Sequence, residues 1–137
     1  MREIETVLPQ RYPFLFVDQL LSADKDTITG TKLYDASFLY FQEPVPGKKM
    51  VPATILVESI VQCGGAGLTA LGLCSRSLWG LASLEKVRVY GVVEADSLVT
   101  MTVKTVKITD KLLKQNGTAC CQGEKILEAA WLCLRLS

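Results

Sequence analysis

Apolar and polar positions along the chain fall into one long greasy stretch flanked by shorter alternating runs. From Val51 through Leu73 almost every position is apolar or small. A run of that length predicts a single long helix over 52–73. Pro52 suits the first helical turn, where a missing N–H costs nothing. Gly72 and the Ser75-Arg76-Ser77 cluster supply a stop. Two polar side chains, Glu58 and Gln62, sit one turn apart on this rod. A carboxylate in such surroundings is costly unless it is paired, protonated or used.

The remaining pattern is of strands. Residues 2–8 read as a short helical turn ended by Pro9 and Pro13. The run from Phe14 to Leu21 reads as a strand, Asp24-Lys25-Asp26 as a turn, and Thr27 to Leu33 alternates as a second strand. Phe38 to Phe41 is a short aromatic run, and the prolines between 43 and 52 predict an irregular loop. After the helix, 78–84 and 86–90 read as two extended runs, followed by a turn region at 92–96. Residues 98–108 form the clearest strand, with phase slips near 99–101 and after Val103 that predict bulges or strong twist. Residues 112–121 read as a strand bulged at Gly117, the Gln122-Gly123-Glu124-Lys125 segment as a hairpin turn, and 126–136 as a closing strand. The expected class is α+β, one domain over residues 1–137.

Composition narrows the chemistry. The chain has 137 residues, long enough for a sizeable core, with 49% hydrophobic and 21% charged residues, which excludes disorder. Net charge is +1, so the balance points to neither nucleic acid nor membrane surface. There is no histidine, which removes the commonest general base and the commonest metal ligand. The five cysteines, Cys63, Cys74, Cys120, Cys121 and Cys133, form no C-x-x-C pair. They are read as buried small hydrophobes in a reducing cytoplasm, with no metal and no cofactor expected. The N-terminus has no apolar core of signal-peptide length, so no export is expected. The 52–73 stretch is long enough to cross a membrane. Glu58 and Gln62 at its centre, its glycines and the strands around it favour a core helix wrapped by a sheet.

Four motifs in register carry a family resemblance. They are Leu8-Pro9-Gln10-Arg11-Tyr12-Pro13-Phe14-Leu15-Phe16-Val17-Asp18, Pro46-Gly47-Lys48-Lys49-Met50-Val51-Pro52-Ala53, Leu56-Val57-Glu58-Ser59-Ile60-Val61-Gln62, and Lys86-Val87-Arg88-Val89 with Ala95-Asp96-Ser97-Leu98. Nearly the whole chain resembles the FabZ-type 3-hydroxyacyl-acyl-carrier-protein dehydratases. The resemblance implies a hotdog fold, a bent antiparallel sheet of five to six strands wrapped around one long central helix. It implies a homodimer joined edge to edge, with a higher oligomer or a heterodimer with an active paralogue as alternatives. It also implies an acyl thioester, on acyl carrier protein or coenzyme A, lying in a tunnel at the interface. A loop histidine of one subunit would take the C2 proton and the helix glutamate of the other would protonate the departing hydroxyl. Backbone N–H groups at the helix start would hold the thioester oxygen.

The chain departs from that pattern where the chemistry lies. The loop alignment puts Pro44 in the place of the catalytic histidine, and proline has no titratable group. Gln10 replaces the histidine of the opening motif, and Ala53 replaces a loop glycine. Glu58 remains as candidate acid or base, with a structural relic as its bland reading. Gln62 is read chiefly as its hydrogen-bonding support. Pro44, Val45, Gly47, Pro52, Ala53 and Thr54 make the substrate-binding set that the resemblance implies. Lys48, Lys49, Lys86 and Arg88 are read either as a rim that docks an acidic carrier protein or as an ordinary solvated face. Arg11 and Asp18 are read as anchors of the N-terminal segment, and Tyr40 and Tyr90 as packing residues.

Three functional readings follow. The first is a dehydratase-like protein of fatty-acid, lipid or polyketide-like biosynthesis with lost or impaired activity, which binds acyl thioesters or serves as the non-catalytic partner of an active paralogue. The second is a thioesterase using Glu58 with the helix N-terminus as oxyanion hole. The third is an active dehydratase recruiting another group, Tyr40 or a partner's histidine.

Overall fold

The computed structural model describes residues 3–74 and 78–136. Among the described residues a 3-10 turn at Ile4–Thr6 leads into eight strands and one helix. The strands are β1 (Gln19–Ala23), β2 (Thr27–Tyr34), β3 (Gln42–Val45), β4 (Lys48–Met50), β5 (Trp79–Val89), β6 (Ser97–Ile108), β7 (Leu112–Cys121) and β8 (Glu124–Arg135). The helix, α1, is Ala53–Ala70. Six strands form one antiparallel sheet in the order β1-β2-β6-β7-β8-β5. Helix α1 packs on one face of that sheet, touching β1, β2, β6, β7 and β8. This is the expected hotdog arrangement with six strands.

The helix is shorter than 52–73 because its end is cut by a left-handed glycine. Gly72 has φ 77°, and its N–H donates to the carbonyl of Thr69 while that of Leu73 donates to Leu68. That pairing is a Schellman cap, which satisfies the last carbonyls. The Ser75-Arg76-Ser77 stop lies outside the described residues. By length and composition α1 is long and apolar enough to cross a membrane, yet more than half of it is buried inside the fold.

Other boundaries shift for identifiable reasons. The 43–52 loop is not wholly irregular: β3 and β4 pair as a two-stranded ribbon around Pro46-Gly47, with Gly47 at φ 82°. Proline followed by a positive-φ glycine is the signature of a type II turn. The expected strand over 14–21 begins only at Gln19, because side chains of α1 take the backbone groups of Phe14 and Phe16 that a sheet neighbour would take. Residues 78–84 and 86–90 merge into the single strand β5, whose register against β8 shifts between Leu81 and Ser83 and again between Leu84 and Lys86. In β6 the pairing with β2 is unbroken from Ser97 to Lys104, so no bulge sits at 99–101. Val99, Met101 and Val103 point inward, and Leu98 lies on the outer face. The slip after Val103 is real and falls between Thr105 and Lys107. Gly117 is in register with Val103 and Ala129 and is not a bulge; the shift in β7 comes at Ala119/Cys120. Of the five thiols, all free, only Cys63 and Cys133 are fully buried; the other three are half-buried.

Close packing of α1 on the sheet rests on small residues. A Cβ on Gly67 would lie 2.5–2.6 Å from three side-chain carbons of the fully buried Ile28. A Cβ on Gly65 would meet nothing within 4 Å. Replacing a helical glycine by alanine gains up to about 1 kcal/mol of helix propensity, whereas overpacking a tight core costs about 1–3 kcal/mol. Gly65→Ala is therefore expected to raise the urea midpoint and Gly67→Ala to lower it. Equal shifts for the two would mean that the helix does not approach the sheet as described.

Candidate active site

Glu58 stands on the helix face that turns toward β5 and β8. The face continues through Val61, Gln62, Gly65 and Thr69, the i, i+3, i+4, i+7 and i+11 spacing of one side of a helix. These residues line a cavity of about 230 Å³. From Glu58 to Thr69 the helix rises roughly 16 Å, which sets the length of that wall. The facing wall comes from Leu113 and Gln115 of β7, Trp131 and Cys133 of β8, and Trp79 and Leu81 of β5. Val7 to Gln10 close one side, and Cys74 and Leu78 contribute beyond the end of the helix.

Gln62 organises this site. It is buried, and its Oε1 accepts from the N–H of Phe16 at 2.8 Å. Its Nε2 donates to the carbonyl of Phe14 at 2.9 Å and to Glu58 Oε2 at 3.1 Å. One side chain thus ties the N-terminal segment to the helix and fixes the carboxylate. Ser59 reinforces the tie by donating from Oγ to the carbonyl of Phe16. Burial pushes the Glu58 carboxyl above its usual 4.5, and the Gln62 hydrogen bond pulls the other way. The raised value favours the neutral acid, the form that can deliver a proton.

The other expected site residues are distributed differently. Pro52 is the N-cap, with ψ 140°, and so precedes the first helical turn instead of lying in it; Ala53 and Thr54 are exposed at the helix N-terminus with no side-chain cap among the described residues, leaving the first amides open at the positive end of the dipole. Pro44, Val45 and Gly47 lie on the β3–β4 ribbon and line no part of the Glu58 cavity. Lys48 and Lys49 share a separate surface recess with Glu43 and Glu94, so their charge is offset locally. Lys86 and Arg88 lie on the exposed strand β5, where Arg88 pairs in register with Glu128. Arg11 donates to the carbonyls of Glu5, Leu8 and Gln10, and Asp18 accepts from the N–H of Leu33 and from Lys32 Nζ. Tyr40 stacks on Phe14 with ring centroids 5.3 Å apart, and the Tyr90 hydroxyl donates to Glu128. Cys63 is buried on another side of α1, its thiol pushed up to about 12. Among the described residues no group of three or more His, Cys, Asp or Glu could hold a metal ion.

Sequence reasoning missed Trp79, Trp131, Cys74, Cys133 and Gly65. Helical spacing from Glu58 would have found Gly65 and Thr69. The strand residues had no such signal, because what places them opposite Glu58 is sheet order.

A family model described as the FabA-like domain matches residues 8–130, and the chain belongs to that family. The FabZ 3-hydroxyacyl-[acyl-carrier-protein] dehydratase of Xanthomonas euvesicatoria pv. vesicatoria (strain 85-10) is 29% identical over 136 residues, covering 96% of this chain and 89% of that relative. Among solved structures, the dehydratase heterocomplex ApeI:P from Xenorhabdus doucetiae superposes with a TM-score of 0.83 at 14% identity, covering all of this chain and 93% of the other. A hypothetical thioesterase with coenzyme A from Streptococcus pneumoniae gives a TM-score of 0.67 at 11% identity, with 87% and 85% covered. The chain is a dehydratase-like hotdog protein, and thioesterases share its fold.

Two measurements test the site. Gln62→Leu leaves the backbone groups of Phe14 and Phe16 without their partner and is expected to destabilise by about 2–4 kcal/mol in urea titration. A loss below about 0.5 kcal/mol, the range of ordinary surface substitutions, would show that the tie is not formed. Because the folded Glu58 is raised above 4.5, its ionisation opposes folding as pH climbs past that value, and the penalty is absent below it. Glu58→Gln is therefore expected to raise Tm at neutral pH, with the gain vanishing toward pH 4.5. A gain that persists unchanged in acid would contradict the assignment.

Proposed function

We propose that this chain binds acyl thioesters in a dehydratase-like site that it cannot complete alone, and that it acts as the partner of an active paralogue. The carrying observation is the split between Glu58, held by Gln62 beside a cavity, and Pro44, a residue without a proton acceptor on a ribbon away from that cavity. In this reading Glu58 faces the histidine-bearing loop of the paralogue. That loop takes the C2 proton, Glu58 protonates the departing hydroxyl, and the open amides of Ala53 and Thr54 receive the thioester oxygen. Residues 1–137 act as one hotdog domain in the cytoplasm, where free thiols persist.

The edge of the sheet supports a second subunit. Along β5 the residues facing the helix side, Leu81, Leu84, Val87 and Val89, are 41–54% exposed, an apolar row beside a strand edge that pairs with no other strand among the described residues. Such an edge invites pairing with another chain. The ApeI:P structure is described as a dehydratase heterocomplex, which fits a partner role. Lys48, Lys49, Lys86 and Arg88 remain the candidates for docking a carrier protein. The thioesterase reading draws on the same Glu58 and the open helix start.

The purified chain alone, given a 3-hydroxyacyl-pantetheine, is expected to yield no enoyl absorbance. The heterocomplex with an active paralogue is expected to dehydrate, and Glu58→Gln in this chain to slow it by about 100-fold or more. Enoyl product from the homogeneous protein would overturn the partner role. Thiol release from a saturated acyl-pantetheine, abolished by Glu58→Gln, would establish the thioesterase instead. Pro44→His is expected to restore part of the dehydration to the homogeneous protein; a folded variant without any gain would show that the ribbon does not reach the site.

A further inference from the structure

The cavity beside Glu58 has one charged end and a definite size. Glu58 is the only charged residue among those lining it, while Val61 on the helix wall and Leu81, Leu113 and Trp131 on the sheet wall are apolar. Space of that kind suits an apolar tail, and its volume limits how much tail it takes. An apolar cavity of about 150 Å³ holds the six carbons of benzene, roughly 25 Å³ for each. At that density the 230 Å³ beside Glu58 takes roughly nine carbons.

The helix gives the same scale along its axis. Gly65 follows Glu58 by two turns, roughly 10 Å of rise. An extended chain covers about 3.5 Å in three bonds, so roughly nine bonds lead from the level of Glu58 to that of Gly65. A Cβ on Gly64 or Gly67 would stand within 3.0 Å of a neighbour, whereas one on Gly65 would meet nothing within 4 Å. The helical glycine that leaves open space therefore stands on the cavity wall where a nine-carbon tail would end.

We propose that this cavity measures acyl length: it takes a medium-chain acyl group of about twelve carbons, and Gly65 is the specificity residue that admits the end of the tail. The proposal rests on the acyl-thioester reading above, which sets the hydroxyl-bearing third carbon beside Glu58 and leaves about nine carbons beyond it. Longer chains gain nothing, because their last carbons find no further cavity to fill.

The test is calorimetric binding of 3-hydroxyacyl-pantetheine esters of six, twelve and sixteen carbons to the full chain, below the concentration at which the longest self-associates. Each buried methylene is worth about fourfold in affinity, so the twelve-carbon ester is expected to bind at least about 100-fold tighter than the six-carbon one. The sixteen-carbon ester is expected to bind no tighter than the twelve. In Gly65→Leu the new side chain leans back toward the helix start and fills the tail's end. This variant is expected to weaken the twelve-carbon ester by about tenfold or more and to leave the six-carbon ester unchanged. Should Gly65→Leu unfold, Gly65→Ala is expected to show a smaller loss confined to the twelve-carbon ester. Affinity that climbs on to sixteen carbons, equal binding of all three esters, or a Gly65 variant that spares the twelve-carbon ester or weakens both alike would overturn the proposal. So would failure of every ester to bind, which would remove the acyl-thioester reading with it. The stated length limit beside a heterocomplex that fails to dehydrate removes the partner role and keeps this inference; dehydration without a length limit does the reverse.

Discussion

Everything in this fold depends on how closely an apolar helix can lie against a sheet. The approach is set by glycines on both sides of the contact. Gly67 and Gly64 let the helix settle against Ile28 of β2 and Gln115 of β7, while Gly30 and Gly117 let the sheet rise to meet Cys63 and Ile60. At these four positions an added Cβ would stand within 3.0 Å of a neighbour, a distance that real side chains do not sustain. Interiors are close-packed and bistable rather than compliant, so such contacts fix the helix position instead of merely favouring it. Gly65 is the exception that defines the site: it lies on the same helix, faces open space, and leaves the room that its neighbours consume.

The buried polar groups are arranged around that room. Gln62 is fully engaged, with two backbone partners and a carboxylate, so it belongs to the architecture as much as to chemistry. Glu58 takes its orientation from Gln62 and its raised titration from burial. The two open amides at the helix start lie at the positive end of the dipole. One helix thus carries a carboxyl raised by burial and open amides at its start. Pro44 on the β3–β4 ribbon carries no titratable group, and an exposed apolar row runs along β5 at the sheet edge.

Much of the fold was legible in the residues themselves. The long apolar stretch, the Gly72 stop, the β-branched run of β6 and the Gln122-Gly123 hairpin, with φ of 52° and 79°, all follow from local pattern. So does the half-buried setting of Glu58, because a carboxylate on a greasy helix face has few places to go. The errors came where tertiary contacts replaced local ones. Side chains from α1, not a neighbouring strand, hold Phe14 and Phe16, so the first strand starts late. Leu98 faces outward against the apparent phase of its strand because the pairing with β2 is unbroken there.

The sequence by itself determined the central helix and the alternating runs of the later strands, since each depends on the identity of residues a few positions apart. The cavity was decided only by the tertiary structure. Its walls come from the N-terminal segment, one face of α1 and the strands β5, β7 and β8, brought together by sheet order and by the glycine contacts that seat the helix. Trp131 is far in sequence from Glu58, and neither residue carries information about the other until the chain has folded. Proximity of that kind is a property of topology, and no local periodicity encodes it.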